Sequence, residues 1–162
     1  MYGHCEATVP GCGDGGLRHL LAALREAVRH ARTPADRLAA AIPEQQGKWR
    51  FRNGLGVYDW WIEHPPEGWD YCLDVTRSRH RAAAGSMREV APGYPKARQP
   101  FERAAVGFGA DADALDACMT VLTTKDMDPE ARRARLSELF TQARASYAGA
   151  IDEVELGLTA VD

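Results

Sequence analysis

The chain lacks most of the features that assign a protein on inspection. No apolar run approaches the length needed to cross a bilayer. The start, Met1-Tyr2-Gly3-His4-Cys5, has neither a basic cluster nor an apolar stretch, so no signal peptide is expected. There are four cysteines (Cys5, Cys12, Cys72 and Cys118) but no Cys-x-x-Cys pair, which removes the usual zinc and redox spacings. Positive charge is not in excess: the net charge is −3, and nothing in that balance invites nucleic acid or an acidic membrane surface. No internal repeat, low-complexity tract, RNP, KH or helix-turn-helix signature is present. Lysine and isoleucine are scarce beside arginine and alanine, a bias expected of a GC-rich bacterial genome. These absences leave the expectation of a cytoplasmic chain with reduced thiols, no membrane, no metal and no cofactor.

What remains is one ordinary domain's worth of sequence, 162 residues with 45% hydrophobic and 27% charged residues, enough to bury a proper core. All four tryptophans fall in one window: Trp49, Trp60, Trp61 and Trp69. Phe51, Tyr58, His64, Tyr71 and Cys72 lie in or beside it. Clustered large aromatics either fill a core or wall a pocket, and each indole or phenol brings a polar group that seeks a partner.

Residues 1–16 read as a flexible glycine-rich lead-in to a single domain over 1–162. Leu17, Leu20, Leu21, Leu24 and Val28 then keep the helical period and form one apolar stripe, with His19 and His30 opposite. Thr33-Pro34-Ala35-Asp36 has the composition of a helix start, and Pro43 closes that short helix.

From Lys48 the pattern changes. Trp49 and Phe51 alternate with Arg50 and Arg52, and Asn53-Gly54 follows, a strong hairpin signal because both residues tolerate positive φ. Trp69, Tyr71, Leu73 and Val75 alternate with Asp70, Cys72, Asp74 and Thr76. The pattern predicts a small antiparallel β-meander over about 48–76, packed by N- and C-terminal helices in a helix-rich α+β fold. The middle segment also fits a helix, since Val57, Trp60, Trp61 and His64 keep helical spacing. The alternative fold is therefore a mainly α helical bundle.

Residues 77–100 are basic and punctuated by Pro92, Pro95 and Pro100, so loop is expected there with a short helix within 79–90. Phe101–Phe108 and roughly 111–124 read as two further helices. Asp128-Pro129 starts the longest one, carried by Leu136, Leu139, Phe140, Ala143, Tyr147, Ile151, Val154 and Leu158. Gly149 interrupts its composition and weakens it by about 1 kcal/mol relative to alanine.

Four constellations carry candidate chemistry. Gly11-Cys12-Gly13-Asp14-Gly15-Gly16 matches GxGxxG literally, but no buried strand precedes it, no βαβ unit follows, and Asp14 opposes a phosphate. His4, Cys5 and Cys12, with Cys72 or His64, have metal-binding chemistry but no structural-zinc spacing. Cys72, with His64, His80 and Asp74, offers a nucleophile, a base and an orienter, and Arg77, Arg79 and Arg81 offer a field to lower a thiol pKa. On a strand Cys72 and Asp74 would share one face. The bland counterpart is a small half-buried cysteine beside a solvated aspartate. Finally, Asp59, Glu63, Glu67, Asp70 and Asp74 lie among the aromatics, where burial of one makes a general acid or base and exposure makes them a solvated face. The basic stretch from Arg77 to Arg103 is most simply an internal match for the acidic C-terminal helices.

Three functions are compatible with this reading. The preferred one is a soluble domain binding a small molecule or peptide in a pocket walled by Trp49, Trp60, Trp61, Trp69 and Tyr71, with polar contacts from Arg50, Arg52, Asp59 and His64. The second is a small-metabolite enzyme using Cys72 or His64 with a neighbouring carboxylate such as Asp74. The third is a helical protein–protein interaction module. Homodimerisation through the C-terminal helix is expected if residues 17–31 and 111–124 do not cover its stripe.

Overall fold

The computed structural model describes residues 14–33 and 54–161. Every regular element among them is helical, and none is a strand. The order is α1 (Asp14–Arg32), α2 (Leu55–Glu63), α3 (Tyr71–Val90), a 3-10 turn (Ala91–Gly93), α4 (Arg98–Thr123) and α5 (Pro129–Val161). The chain is thus a helical bundle, not the α+β fold with a meander.

The meander fails for physical reasons that are visible residue by residue. Asp70 stands in extended backbone just before α3, and its side chain accepts the Leu73 amide at 2.8 Å. That is a helix N-cap, which satisfies an amide that the helix itself leaves unpaired. Two residues whose alternation suggested a buried strand face, Trp69 and Tyr71, are 62% and 67% exposed. The true inner stripe of this segment is Leu73, His80, Ala84, Met87 and Ala91, which keeps the helical period. In α2, Tyr58 and Trp61 are buried three apart, so the helical spacing of this segment overrides the hairpin signal of Asn53-Gly54. Gly54 does have positive φ, 48°, but it precedes a helix, and a Cβ there would lie 2.2 Å from the Ala31 carbonyl oxygen. The remaining meander residues, 48–53, and the short helix expected over 34–42 lie outside the described residues, as do the Cys5 and Cys12 positions.

The loop expected over 77–90 is helix, and the chain breaks only between Val90 and Arg98, where Pro92 and Pro95 lie. Pro92 sits in the 3-10 turn, and Pro100 lies in the first turn of α4, where its missing N–H is not needed. The two helices expected over 101–124 are one. Asp128 caps α5, accepting the Ala131 amide at 2.9 Å, with Pro129 as the first helical residue.

Helices α4 and α5 form the central pair, with α3 on α4, and α2 and α1 on α5. Their contact faces mix large and small side chains: Phe101, Ala104, Ala105, Phe108, Ala112, Leu115 and Cys118 on one helix, Leu139, Phe140, Ala143, Tyr147, Ala150 and Ile151 on the other. Two glycines mark the closest approach. A Cβ on Gly107 would lie 2.9 Å from the Ala150 Cβ, and one on Gly157 would lie 2.3 Å from the Phe101 ring. The stripe of α5 is therefore covered within the chain. Arg32 reaches Asp152 and Glu155, Arg103 reaches Glu153, and Arg144 reaches Asp59, so ion pairs rim the same faces.

Candidate functional site

Among the described residues the bundle buries one charged residue completely. Asp111 on α4 is 0% exposed and lies on the inner stripe between Phe108 and Leu115. A buried carboxylate is tolerable only when its oxygens are partnered. Here Oδ1 accepts the Tyr58 hydroxyl of α2 at 2.7 Å, and Oδ2 meets Nδ1 of His80 on α3. The Tyr58 hydroxyl also lies 3.2 Å from His80 Nδ1. With Asp111 ionised, His80 carries its proton on Nδ1, which makes Nε2 the ring's second, lone-pair nitrogen.

Aromatic contacts fix the same ring. His80 lies flat on Tyr147 of α5, centroids 4.7 Å apart and planes 5° apart, while Tyr147 stacks on Tyr58 at 5.5 Å. Burial, then the Asp111 charge and hydrogen bond, push the Tyr58 phenol far above its ordinary range, so it remains a hydrogen-bond donor. Tyr147 is pushed up to about 12 by burial and, to a lesser degree, by Asp111.

This network does not close off completely. The His80 side chain keeps 17% exposure. It lines a cavity of about 220 Å³ together with His30, Val57, Tyr58, Thr76, Arg79 and Tyr147, with Gly54 at its edge. Four helices thus converge here, with Asp111 behind His80 rather than on the wall. Such an arrangement can bind a compact polar molecule, orient it by hydrogen bonds from an imidazole of fixed tautomer, and exchange a proton with it.

No family model, curated protein or solved structure matches the chain.

The residues singled out from sequence are dispersed. Trp61 is a core residue, stacked on Phe140 at 5.3 Å and edge-on to Tyr58 at 5.7 Å. Trp60 lies against the His64 ring at 3.8 Å. Trp69 and Tyr71 form an exposed tilted pair. None of these four lines the His80 cavity. Asp59 is held by Arg144 at 2.6 Å. Trp49, Arg50 and Arg52 lie outside the described residues.

The catalytic candidates do not share a face either. Cys72 is exposed near the start of α3, and on a helix Asp74 points elsewhere, where it pairs with Arg77. His64 follows α2 and lies 3.9 Å from Glu63. Of the sequence candidates among the described residues, only His80 has a carboxylate within hydrogen-bond distance of its ring, and that carboxylate is Asp111.

Part of the basic stretch is matched internally: Arg77 pairs with Asp74 and Asp116, and Arg81 with Asp113 and Asp116. Burial alone would raise the Asp116 carboxyl, but the hydrogen bonds and charges of Arg77 and Arg81 outweigh it and hold it below the usual range. No group of three metal-binding side chains is assembled among the described residues, and no described helix is long and apolar enough to cross a membrane. A larger opening, about 500 Å³, is lined by Pro65, Pro66, Glu67, Arg132, Arg133 and Leu136, but no buried ionisable network stands behind it. Size alone does not make it the better site.

Two residues that sequence reasoning missed, Asp111 and the His80 partner role, had a signal. Each is a polar residue in phase with an apolar helical stripe.

Proposed function

We propose that this chain is a small-molecule-binding helical domain whose ligand occupies the cavity beside His80. One observation carries the reading: a histidine held from behind by a fully buried carboxylate forms part of a solvent-reachable wall. A buried ion of this kind is weak evidence for stability, since apolar residues of similar volume often serve as well. What the buried carboxylate does do is hold His80 in place from behind. Tyr58 and Tyr147 supply the apolar wall, in place of the tryptophans. Thr76, Arg79 and His80 supply the polar contacts.

A thermal-shift screen of compact metabolites against the wild-type chain and His80→Gln tests the reading. A ligand at one hundred times its Kd stabilises by about 2.7 kcal/mol, which for a chain of this size raises Tm by roughly 5–10 °C. The shift should vanish in His80→Gln. If no compound shifts the wild type, or if the variant responds equally, the reading is wrong.

A second reading rests on the same geometry. His80 with Asp111 is a proton acceptor of fixed orientation, which suits acid–base chemistry on the bound molecule. Conversion of a bound compound by the wild type, lost in Asp111→Asn while binding persists, would distinguish an enzyme from a binding domain.

A further inference from the structure

The cavity beside His80 has a one-sided charge lining. Three arginines lie close together on α3, at 77, 79 and 81. Arg77 and Arg81 are both committed to carboxylates of α3 and α4. Arg79 has no carboxylate partner among the described residues, and it is the one that lines the cavity. Thr76, one turn earlier on the same helix, and His80 beside it line the same wall. Among the described residues, no aspartate or glutamate is part of that lining. Asp111 is fully buried with both oxygens engaged, so its charge is spent on His80 and Tyr58.

A cation placed in this cavity would face Arg79 with no counter-charge. A neutral guest would leave the guanidinium unused. An oxyanion matches it in charge and in fork geometry, and also accepts from the threonine hydroxyl. Resting on the ligand-binding reading above, we propose that the ligand is a compact oxyanion, bearing a carboxylate or phosphate group that meets Arg79 and Thr76 beside His80. The cavity, about 220 Å³, is below the roughly 300–1,000 Å³ of drug-sized sites, which restricts the rest of the molecule to a small body beside Val57 and Tyr147.

The test uses the isotope-labelled full chain. Acetate, benzoate and inorganic phosphate are titrated in turn, with acetamide and benzamide as neutral counterparts and a neutral fragment library alongside. At least one anion should shift the Val57, Thr76 and His80 resonances saturably. Its neutral counterpart should bind at least tenfold more weakly. Arg79→Gln should lower the anion affinity at least tenfold and leave the melting temperature unchanged, because Arg79 makes no ion pair among the described residues. The carboxylate and phosphate arms separate the two sources of the charge. An amide that binds as well as its acid, an Arg79→Gln variant with undiminished anion affinity, or shifts centred on Arg132 and Arg133 would overturn the proposal. So would saturation of the His80 site by neutral fragments alone, which would still leave the small-molecule reading standing. No saturable binding at that site by either class would remove both.

Discussion

Tyr58 and Asp111 join the short aromatic helix to the centre of the bundle through one 2.7 Å hydrogen bond made out of reach of solvent. The phenol is the donor, and the buried carboxylate depends on it. Tyr58→Phe removes the donor and little volume, leaving Oδ1 of a buried ion without its partner. The expected loss is about 1–3 kcal/mol, read from urea unfolding midpoints at unchanged m-value. An unchanged midpoint would mean that Asp111 is not ionised or is reached by water.

Gly149 lies exposed on α5 with nothing within 4 Å of the place its Cβ would occupy. Gly149→Ala should therefore stabilise the protein by roughly 1 kcal/mol through helix propensity alone. Gly157→Ala should do the opposite, since its Cβ would press on the Phe101 ring. Thermal unfolding of the two variants should move in opposite directions.

Those two glycines also show what the sequence could and could not disclose. The inner faces of α4 and α5 were readable because their apolar residues recur at three and four. The start at Asp128-Pro129 was readable because cap and proline are adjacent. Residues 69–76 were not, because exposed Trp69 and Tyr71 supplied an alternation that mimics a strand, while the Asp70 cap that starts the helix looks, in sequence, like one more polar residue. The candidate site suffered from the same error. With α3 recognised, His80 falls in phase with Leu73, Ala84 and Met87. With 98–123 taken as one helix, Asp111 falls in phase with Phe108, Leu115 and Cys118. Two polar residues on two facing apolar stripes would then have named each other. Their junction with Tyr58 and Tyr147 is a tertiary fact that no local pattern contains.

Thiol chemistry separates the two described cysteines. Cys72 is exposed, whereas burial pushes the Cys118 thiol up to about 12. An aromatic disulfide reagent at pH 8, followed by peptide mapping, should label Cys72 in the native chain and Cys118 only after unfolding. Equal labelling of Cys118 would show that the α4–α5 interface opens readily.

Alkaline pH should weaken the fold through Tyr147. Its folded-state pKa, about 12, lies above its ordinary value of 10.0. The unfolded chain therefore loses that proton first. Stability is full below pH 10 and falls as pH rises through 10 towards 12, where the unfolded state is increasingly favoured. Urea midpoints measured between pH 8 and 11.5 should decline over the upper part of that range, and the decline should shrink in Tyr147→Phe. A flat profile would place Tyr147 in contact with water.

Whether the chain holds a small molecule against His80 is decided most directly by locating a bound one. A compound that raises the melting temperature should be mapped on the labelled protein by chemical-shift perturbation. Shifts confined to Val57, Tyr58, Thr76, His80 and Tyr147, and abolished by His80→Gln, are the expected result. Shifts gathered instead at Trp69 and Tyr71, or around Arg132 and Arg133, would contradict it.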